Sequence, residues 1–360
     1  MKTVMTKRER VEATLNLKET DRVPVYDILL NDAAIEHFGG QYAPMGEEGI
    51  KIKCKATAQM LDMTRMLDGG PAVPGETIDE DGFVHVNERW TSAGTRTRPF
   101  CNEEGAMEWL KKANQRLLDE NKKFDPQKTM NNHQERCKIL RGYLGDDTVV
   151  LQRESGTGLD TIRYDLGFEL FSYIQADKPE LISEYLDLST EKEVKLIHAI
   201  ADPKLSPCVL TYGDIAGKGR LLHSPTWLRN EFMPRLKKLN DAWHAHDIKC
   251  LFHSDGYYMD VIPDLIDAGI DGLNPIESVA GMSLLEVKQK YGDQLFIAGS
   301  IDISQLMSNG TPDEVKKECQ EAIRIGYPGY FIGSTTELDN GSRLENILEM
   351  LDIAWKTTLL

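Results

Sequence analysis

The chain has 360 residues, of which 41% are hydrophobic and 28% are charged, and its formal net charge is −16. This composition is typical of a globular protein with a sizeable core. The excess of negative charge disfavours contact with phosphate backbones and anionic lipid, so we expect neither nucleic acid nor a membrane surface as a partner. The sequence has no run of about 18 apolar residues, and we therefore expect no membrane span.

The cysteines and the first residues indicate the compartment. The opening stretch "MKTVMTKRERVEATL" has no apolar segment of the kind found in secretion signals. Six cysteines are scattered without a CxxC pair, at positions 54, 101, 137, 208, 250 and 319. This spacing is typical of reduced thiols and not of a disulfide framework, so we expect a cytoplasmic protein.

The first third of the chain predicts mixed local structure. Thr6 is a candidate N-cap for a first helix, with Glu9 three residues later, and "DRVPVYDILL" reads as a buried strand. Residues 50–68 predict a helix whose apolar side chains (Met60, Leu61, Met63, Met66 and Leu67) enter the core. The alternating stretch "DEDGFVHVNERWTSAG" predicts a hairpin, and residues 103–122 and 129–143 predict two polar helices, or a helix and a loop.

From about residue 148 the pattern becomes regular. Short apolar runs follow one another as "TVVLQ", "CVLTY", "KCLFH", "DGLNP", "LFIAG" and "GYFIG". Helix start signals lie between them at Ser224–Pro225 and Thr311–Pro312. Strands that alternate with helices predict a parallel sheet. We therefore predict an α/β fold, a TIM-type (β/α)8 barrel that forms a single domain over residues 1–360, with a helical and hairpin elaboration within residues 1–147.

In such a barrel, functional side chains lie at the carboxyl ends of the strands. The candidates are Arg153, Glu154, Tyr212, Asp214, His253, Asp255, Asn274, Glu277, Asp302, Thr335, Thr336 and Glu337. Simpler interpretations remain open: Asp302 fits an N-cap equally well, Glu277 fits a pair with a lysine, and Arg153 fits an ion pair with Asp214 or Glu154.

The stretch "KCLFHSDG" draws attention to one strand end. His253 and Asp255 are two residues apart, so in an extended segment both side chains lie on one face. An imidazole that converges with carboxylates offers the nitrogen and oxygen ligands that zinc accepts. A histidine at a strand end is more often structural, and the prediction of a metal therefore depends on the surrounding carboxylates. No dinucleotide, P-loop or nucleophile-elbow motif is present.

Several stretches resemble the uroporphyrinogen decarboxylase superfamily. They are "RERVEATLNLKETDRVPV", "YGDIAGKGRLLHSP", "FHSDGYYMDVIPDLIDAGIDGLNPIE", "KQKYGDQLFIAGSID", "GTPDEVKKECQEAI" and "GSRLENILEM". The resemblance runs from about residue 6 to 355 and implies a distorted (β/α)8 barrel.

The superfamily contains two main activities, and the resemblance favours one of them. True uroporphyrinogen decarboxylases need no metal and have an arginine-containing, RQAGRY-like stretch near the N-terminus. Residues 20–45 here contain a single arginine, Arg22, and no stretch of that kind. The other branch contains zinc-dependent, corrinoid-linked methyltransferases. His253 matches the histidine of their zinc site. Asp255 stands where thiol-methylating members have a cysteine, and the position of their later cysteine falls within Ser334–Glu337.

The resemblance and the ligand set together imply a function. We expect a methyltransferase that moves a methyl group from a methylated small molecule to the Co(I) corrinoid of a partner protein. Zinc would be held by His253, Glu337 and either Asp255 or Glu277, with Tyr212, Asp214 and Glu277 as catalytic groups and Arg153 and Asn274 as substrate contacts. Without thiolate ligands zinc is a harder Lewis acid, which favours an aryl methyl ether as the donor.

Two other functions remain open. The first is a decarboxylase of a carboxylated ring, which would need cationic groups at the barrel mouth. The second is a non-enzymatic corrinoid-binding or scaffold subunit, which predicts no stoichiometric metal. The sequence lacks a DxHxxG corrinoid motif, so the corrinoid is expected on another chain.

Overall fold

Local sequence signals determine where several helices begin. Thr6 and Thr311 are N-caps as predicted, and each forms a capping box with the glutamate three residues later. Ser224 accepts a hydrogen bond from the backbone N–H of Trp227 and precedes Pro225, which starts the next helix. Asp302 caps a helical turn by accepting bonds from the N–H groups of three following residues, so its capping interpretation is confirmed.

The structure is a computed structural model that describes residues 4–65 and 69–359. Its α-helices are α1 Lys7–Leu15, α2 Asp32–Gly39, α3 Glu47–Met60, α4 Glu103–Lys122, α5 Pro126–Leu144, α6 Leu159–Leu166, α7 Phe168–Asp177, α8 Pro179–Ile200, α9 Pro225–Trp227, α10 Met233–His244, α11 Ile262–Asp267, α12 Leu284–Tyr291, α13 Pro312–Gly326 and α14 Leu344–Lys356. A π-helical segment, Leu228–Phe232, joins α9 to α10.

The strands are short and most of them are parallel. They are β1 Tyr26–Asp27, β2 Met63–Thr64, β3 Gly75–Ile78, β4 Val84–Asn87, β5 Ser92–Thr97, β6 Val149–Val150, β7 Glu154–Gly156, β8 Cys208–Tyr212, β9 Ala216–Gly217, β10 Arg220–Leu221, β11 Lys249–His253, β12 Gly272–Asn274, β13 Phe296–Ala298 and β14 Tyr330–Phe331.

Two parallel sheets form the centre of the fold. One has the order β1-β2-β6 and the other has the order β14-β13-β12-β11-β8-β7. Only residues 151–153 separate β6 from β7. On the opposite side, an isolated parallel bridge joins Val25, next to β1, to Ile332, next to β14. The predicted mixed α/β class is confirmed.

The apolar residues of the parallel strands alternate between two layers. Side chains such as Tyr26, Leu210, Leu251 and Phe331 form one buried cluster. The neighbouring residues Val209 and Cys250 instead pack with α8 and α10, around Trp243. This alternation, with period two, is what a sheet covered by helices requires.

An antiparallel sheet of β3, β4 and β5 lies within the first third of the chain. The predicted hairpin corresponds to it, with Gly82 at the turn between β3 and β4 and Gly94 inside β5. The predicted polar helices are α4 and α5.

The predicted helix over residues 50–68 is wrong at its end. α3 ends at Met60, and Met63 and Thr64 form strand β2. Met60, Leu61 and Met63 are buried as predicted, whereas Met66 and Leu67 lie outside the described residues. Within the described ranges, none of the helices is long and apolar enough to cross a membrane.

Candidate metal centre

Three neighbouring strands end at the same level. In the parallel register His253 of β11 pairs with Tyr212 of β8 on one side and with Asn274 of β12 on the other. The segments that follow these strands therefore start from one edge of the sheet, and they carry Asp214, Asp255 and Glu277.

A compact group of metal-ligating atoms lies at this edge. Asp214, His253 and Asp255 each offer one atom, and these atoms all lie within 4.8 Å of one another. The backbone N–H of Asp255 donates to Oδ1 of Asp214 over 3.1 Å. His253 Nε2 lies 3.8 Å from Asp255 Oδ1, which is too long for a hydrogen bond but leaves room for a cation between them.

A second contact set orients the imidazole of His253. Its Nδ1 lies 2.8 Å from Oδ1 of Asn274 and 2.8 Å from Nη2 of Arg65. Arg65 also donates to Oδ1 of Asn274 over 3.2 Å. Arg65 can only donate and Oδ1 of Asn274 can only accept, so these two contacts favour opposite tautomers. In the tautomer with the proton on Nδ1, which donates to Asn274, the lone pair of Nε2 points to the Asp255 side, as metal-binding histidines require.

The imidazole of His253 is kept neutral. Burial, followed by the positive charge of Arg65, lowers the pKa of His253 to about 4. A neutral imidazole is the form that binds metals, so protons do not compete for His253 at neutral pH.

Carboxylates surround the same point. Burial raises the pKa of Asp255 to about 7, and the charges of Asp214, Glu277 and Glu337 add to this effect. Glu277 accepts a hydrogen bond from the backbone N–H of Gly256 over 2.8 Å. Burial also raises the pKa of the Glu337 carboxyl, whereas the charge of Arg65 lowers it. Four acidic groups against one buried guanidinium leave this edge with an excess of negative charge.

These residues fit a divalent cation. Oδ1 of Asp255 is buried and accepts no hydrogen bond from any described residue, although a buried carboxylate oxygen without a partner is costly. A cation placed between this oxygen, Nε2 of His253 and the carboxylate of Asp214 would satisfy it. The ligands are nitrogen and oxygen atoms, which suit zinc and harder divalent ions.

The structure differs from the sequence-based ligand set at one position. Asp214, predicted as a catalytic group, belongs to the compact group, whereas Glu337 does not. Glu337 is half-buried and acts on Asp255 through its charge. Glu277, the predicted alternative ligand, bonds to the backbone of the loop that carries Asp255.

The contacts of the two predicted substrate-binding residues argue against that role. Nε and Nη2 of Arg153 form a two-pronged ion pair with Glu193, at 2.6 and 2.9 Å, which was not among the partners considered from the sequence. Asn274 is only 1% exposed, and its Nδ2 donates to the carbonyl of Ala298. Asn274 is therefore shielded from solvent, and its side chain contacts His253 and the neighbouring strand.

Tyr212 lies at the level of His253 in the neighbouring strand. A Cβ atom on Gly156 would come within 2.7 Å of the Tyr212 ring, so only glycine allows this ring to lie across β7. Burial, followed by the charges of Asp160 and Glu154, raises the pKa of Tyr212 to about 12. Its phenol therefore keeps its proton at neutral pH.

Arg65 is the residue that sequence analysis missed. It follows β2 directly, is 8% exposed, and donates through Nε to the hydroxyl of Tyr26 over 3.1 Å. Its position is that of a strand-end residue, because it directly follows the buried pair Met63 and Thr64 that forms β2. Extending the preceding helix through residues 61–68 concealed it.

A cavity of about 580 Å³ opens beside the candidate centre. Asp214 borders it, together with Arg98, Asp160, Thr161, Arg163, Tyr164, Gly167 and Phe168. Two of these side chains, Tyr164 and Phe168, are aromatic and are 42% and 49% exposed. The cavity is within the size range of small-molecule sites.

A second cluster, His244, Cys250 and Asp271, lies at the opposite ends of the same strands. There Asp271 already accepts hydrogen bonds from Lys249, His244 and the backbone N–H of Cys250. These contacts account for the cluster without a metal.

Two known proteins are similar to this chain in sequence or in structure. A curated methylated-thiol–coenzyme M methyltransferase of Methanosarcina mazei is 26% identical over 175 residues, which span 47% of this chain and 43% of that relative. The match therefore covers less than half the length of the relative. The solved structure of a methyltransferase from Methanosarcina mazei superposes with a TM-score of 0.68 at 18% identity, over 98% of this chain and 99% of that one. At this identity the likeness concerns the fold.

The family match is broader. Residues 113–356, about two thirds of the chain, match the family described as uroporphyrinogen decarboxylase (URO-D). They include β8, β11 and β12 and the segments that follow them, and thus Asp214, His253 and Asp255. The chain belongs to the uroporphyrinogen decarboxylase family.

Proposed function

We propose that this protein is a methyltransferase that takes a methyl group from a methylated small molecule and passes it to a Co(I) corrinoid carried by a partner protein. The group formed by Asp214, His253 and Asp255 is the observation that carries the proposal. The similarity to a methylated-thiol–coenzyme M methyltransferase supports the type of reaction.

We also propose that the two parallel sheets close into one eight-stranded barrel that makes residues 1–360 a single domain. In this arrangement β6 and β7 are two halves of one bent strand, because Leu151 still bonds to β2 and the carbonyl of Arg153 already accepts from β8. The bridge between Val25 and Ile332 would join the two sheets on the other side.

The metal would be zinc, held by His253, Asp255 and Asp214, with Glu337 and Glu277 as surrounding charges. When bound there, zinc supplies Lewis acidity toward the heteroatom that carries the methyl group. In this arrangement Nδ1–H of His253 would donate to Asn274, and the protonated phenol of Tyr212 offers a hydrogen-bond donor at the same level.

An aryl methyl ether remains the preferred donor. An ether oxygen is a poor leaving group, and a zinc ion without thiolate ligands is the stronger Lewis acid for it. The exposed rings of Tyr164 and Phe168 border the cavity beside Asp214 and would supply an apolar wall for an aromatic ring.

The test combines metal analysis with a panel of donors. Purified protein is analysed for bound zinc, and methoxylated aromatics, methylamines and methyl thiols are each supplied with a Co(I) corrinoid acceptor. Stoichiometric zinc and methylation of cobalt by a methoxylated aromatic are expected. Absence of bindable zinc would refute the metal centre, and transfer from methyl thiols alone would refute the ether preference.

A decarboxylase of a carboxylated ring is the second candidate. One observation favours it: Arg65 is a buried cation at the same edge as His253. This function predicts release of CO₂ from a carboxylated substrate without zinc. The same purified protein, stripped of metal with a chelator, distinguishes the two functions.

A further inference from the structure

The backbone of Asp214 is held from both sides by one helix. Its N–H donates to both carboxylate oxygens of Asp160, over 3.1 and 3.2 Å. Its carbonyl accepts from Nη1 of Arg163 over 2.6 Å. Nη2 of Arg163 donates back to Asp160 over 2.5 Å, so the two side chains and the peptide groups of Asp214 form one closed arrangement.

The helix that carries this pair is firmly seated. Leu159, Ile162 and Leu166 of α6 are each at most 1% exposed and form a stripe at helical spacing. Asp160 and Arg163 are also three residues apart and therefore lie side by side on a neighbouring face. Burial of the apolar stripe fixes the position of the polar pair relative to the sheet.

Asp214 needs such support because it lies beyond the strand ladder. β8 ends at Tyr212, and beyond it the β11 side bonds only to the neighbours of Asp214, through the N–H groups of Gly213 and Ile215, whereas the N–H and carbonyl of Asp214 itself bond to α6. The side chain of Asp214 still has to reach a point within 4.8 Å of the ligand atoms of His253 and Asp255. With both of its peptide groups fixed, Asp214 can move only by side-chain rotation. The backbone N–H of Asp255 restricts that rotation by donating to Oδ1 of Asp214.

We propose that Asp160 and Arg163 are positioning residues that hold Asp214 in place to bind the metal. This inference rests on the proposed metal centre and extends it to two residues that border the neighbouring cavity and act on the metal through Asp214. Removal of outer-shell partners of metal ligands typically weakens metal binding by about 10- to 100-fold, and a similar loss is expected here.

The experiment measures zinc affinity by competition with a chelating dye, together with the melting temperature of the metal-free protein. The variants are Arg163→Met, Asp160→Ala and Asp160→Asn. Arg324→Met is the matched control, because Glu321 and Arg324 form the same i,i+3 acid–arginine pair on the exposed surface of α13. Zinc binding is a readout independent of catalysis.

Arg163→Met and Asp160→Ala are expected to weaken zinc binding by about tenfold or more, whereas Arg324→Met leaves it unchanged. In Asp160→Asn the amide oxygen can still accept from the N–H of Asp214, so zinc affinity should stay within roughly threefold of the wild type. This rescue separates positioning from a general loss of stability. If Asp160→Ala fails to fold, Arg163→Lys, which keeps one donor, should show an intermediate loss.

Wild-type affinity in both Arg163→Met and Asp160→Ala would overturn the inference while leaving the metal centre intact. Wild-type protein that binds no zinc would refute the metal centre, and the positioning role with it. Normal zinc binding that depends on the pair, without methyl transfer from any donor, would support the positioning role and refute the methyltransferase.

Discussion

Oδ1 of Asn274 lies 2.8 Å from Nδ1 of His253 and accepts from it in the tautomer whose Nε2 lone pair faces the candidate metal centre. Replacing Asn274 with leucine should weaken zinc binding by about 10- to 100-fold, because the ring loses the acceptor that fixes its tautomer. Asn274→Asp keeps an acceptor at the same place and should retain most of the affinity. Dye competition measures both, and equal affinity in the leucine variant would contradict the assigned tautomer.

Removing the imidazole of His253 should reduce zinc binding more than replacing Asn274 does. In His253→Ala we expect no stoichiometric zinc and a fall in methyl transfer by orders of magnitude, because the nitrogen ligand is gone. Elemental analysis and cobalt methylation measure these effects, and added zinc should raise the melting temperature of the wild type but not that of His253→Ala. His37→Ala, which removes an exposed histidine, is the control. Near wild-type transfer by His253→Ala would end the metal assignment.

A glycine allows β14 to approach β1 closely. A Cβ atom at Gly333 would lie 1.8 Å from the carbonyl oxygen of Tyr26, a backbone atom that cannot move aside. Gly333→Ala should therefore lower the free energy of unfolding by about 1–3 kcal/mol or more, as overpacking does. Gly142→Ala is the control, since a Cβ there meets nothing within 4 Å, and on helix α5 it should stabilise by about 0.5–1 kcal/mol. Urea unfolding compares the two, and an unaffected Gly333→Ala would argue against the close contact.

His223 should make stability depend on pH. Burial, and then the charge of Arg163, lowers the pKa of His223 from 6.5 to about 4, and its buried Nε2 has no hydrogen-bond partner among the described residues. Between these values the unfolded chain binds a proton that the folded protein does not, so stability decreases as the pH falls from 6.5 toward 4. At full extent, His223 lowers the free energy of unfolding by about 3 kcal/mol.

Replacing His223 with phenylalanine should remove the contribution of this residue to the pH dependence of stability. The His223 ring already lies among Phe171 and Trp227, with its centroid 4.3 Å from that of Trp227, so an apolar ring suits the site. His223→Phe should lose less stability than the wild type when urea unfolding is repeated between neutral pH and about pH 4.5. His37→Phe is the control and should follow the wild type. Parallel pH profiles for His223→Phe and the wild type would show that His223 is not the group responsible.

Sequence alone predicted the features that depend on short-range chemistry. The helix starts at Thr6 and Thr311 need only a capping residue next to the helix, and the apolar runs of β8, β11 and β12 stand out because both faces are buried. Since the carboxyl ends of parallel strands share an edge, the proximity of His253 and Asp255 to other strand-end carboxylates could also be anticipated.

The features that could not be predicted from the sequence depend on contacts between residues that are far apart in the chain. Arg153 looked like a substrate contact until its partner proved to be Glu193, forty residues away on α8. Arg65 was missed because strand β2 has only two residues and follows a helix without a clear break. The choice between Asp214 and Glu337 depends on the path of the chain after each strand, and no local pattern encodes it.

The bridge between Val25 and Ile332 has a consequence for biosynthesis. These residues are 307 positions apart, and the carbonyl of Ile332 accepts from the N–H of Tyr26. During translation the segment of Val25 is therefore synthesised long before Ile332, its partner next to β14, leaves the ribosome. Contacts of such long range form slowly and leave an open strand edge in the meantime, so a nascent chain truncated before residue 330 should depend on chaperones to avoid aggregation.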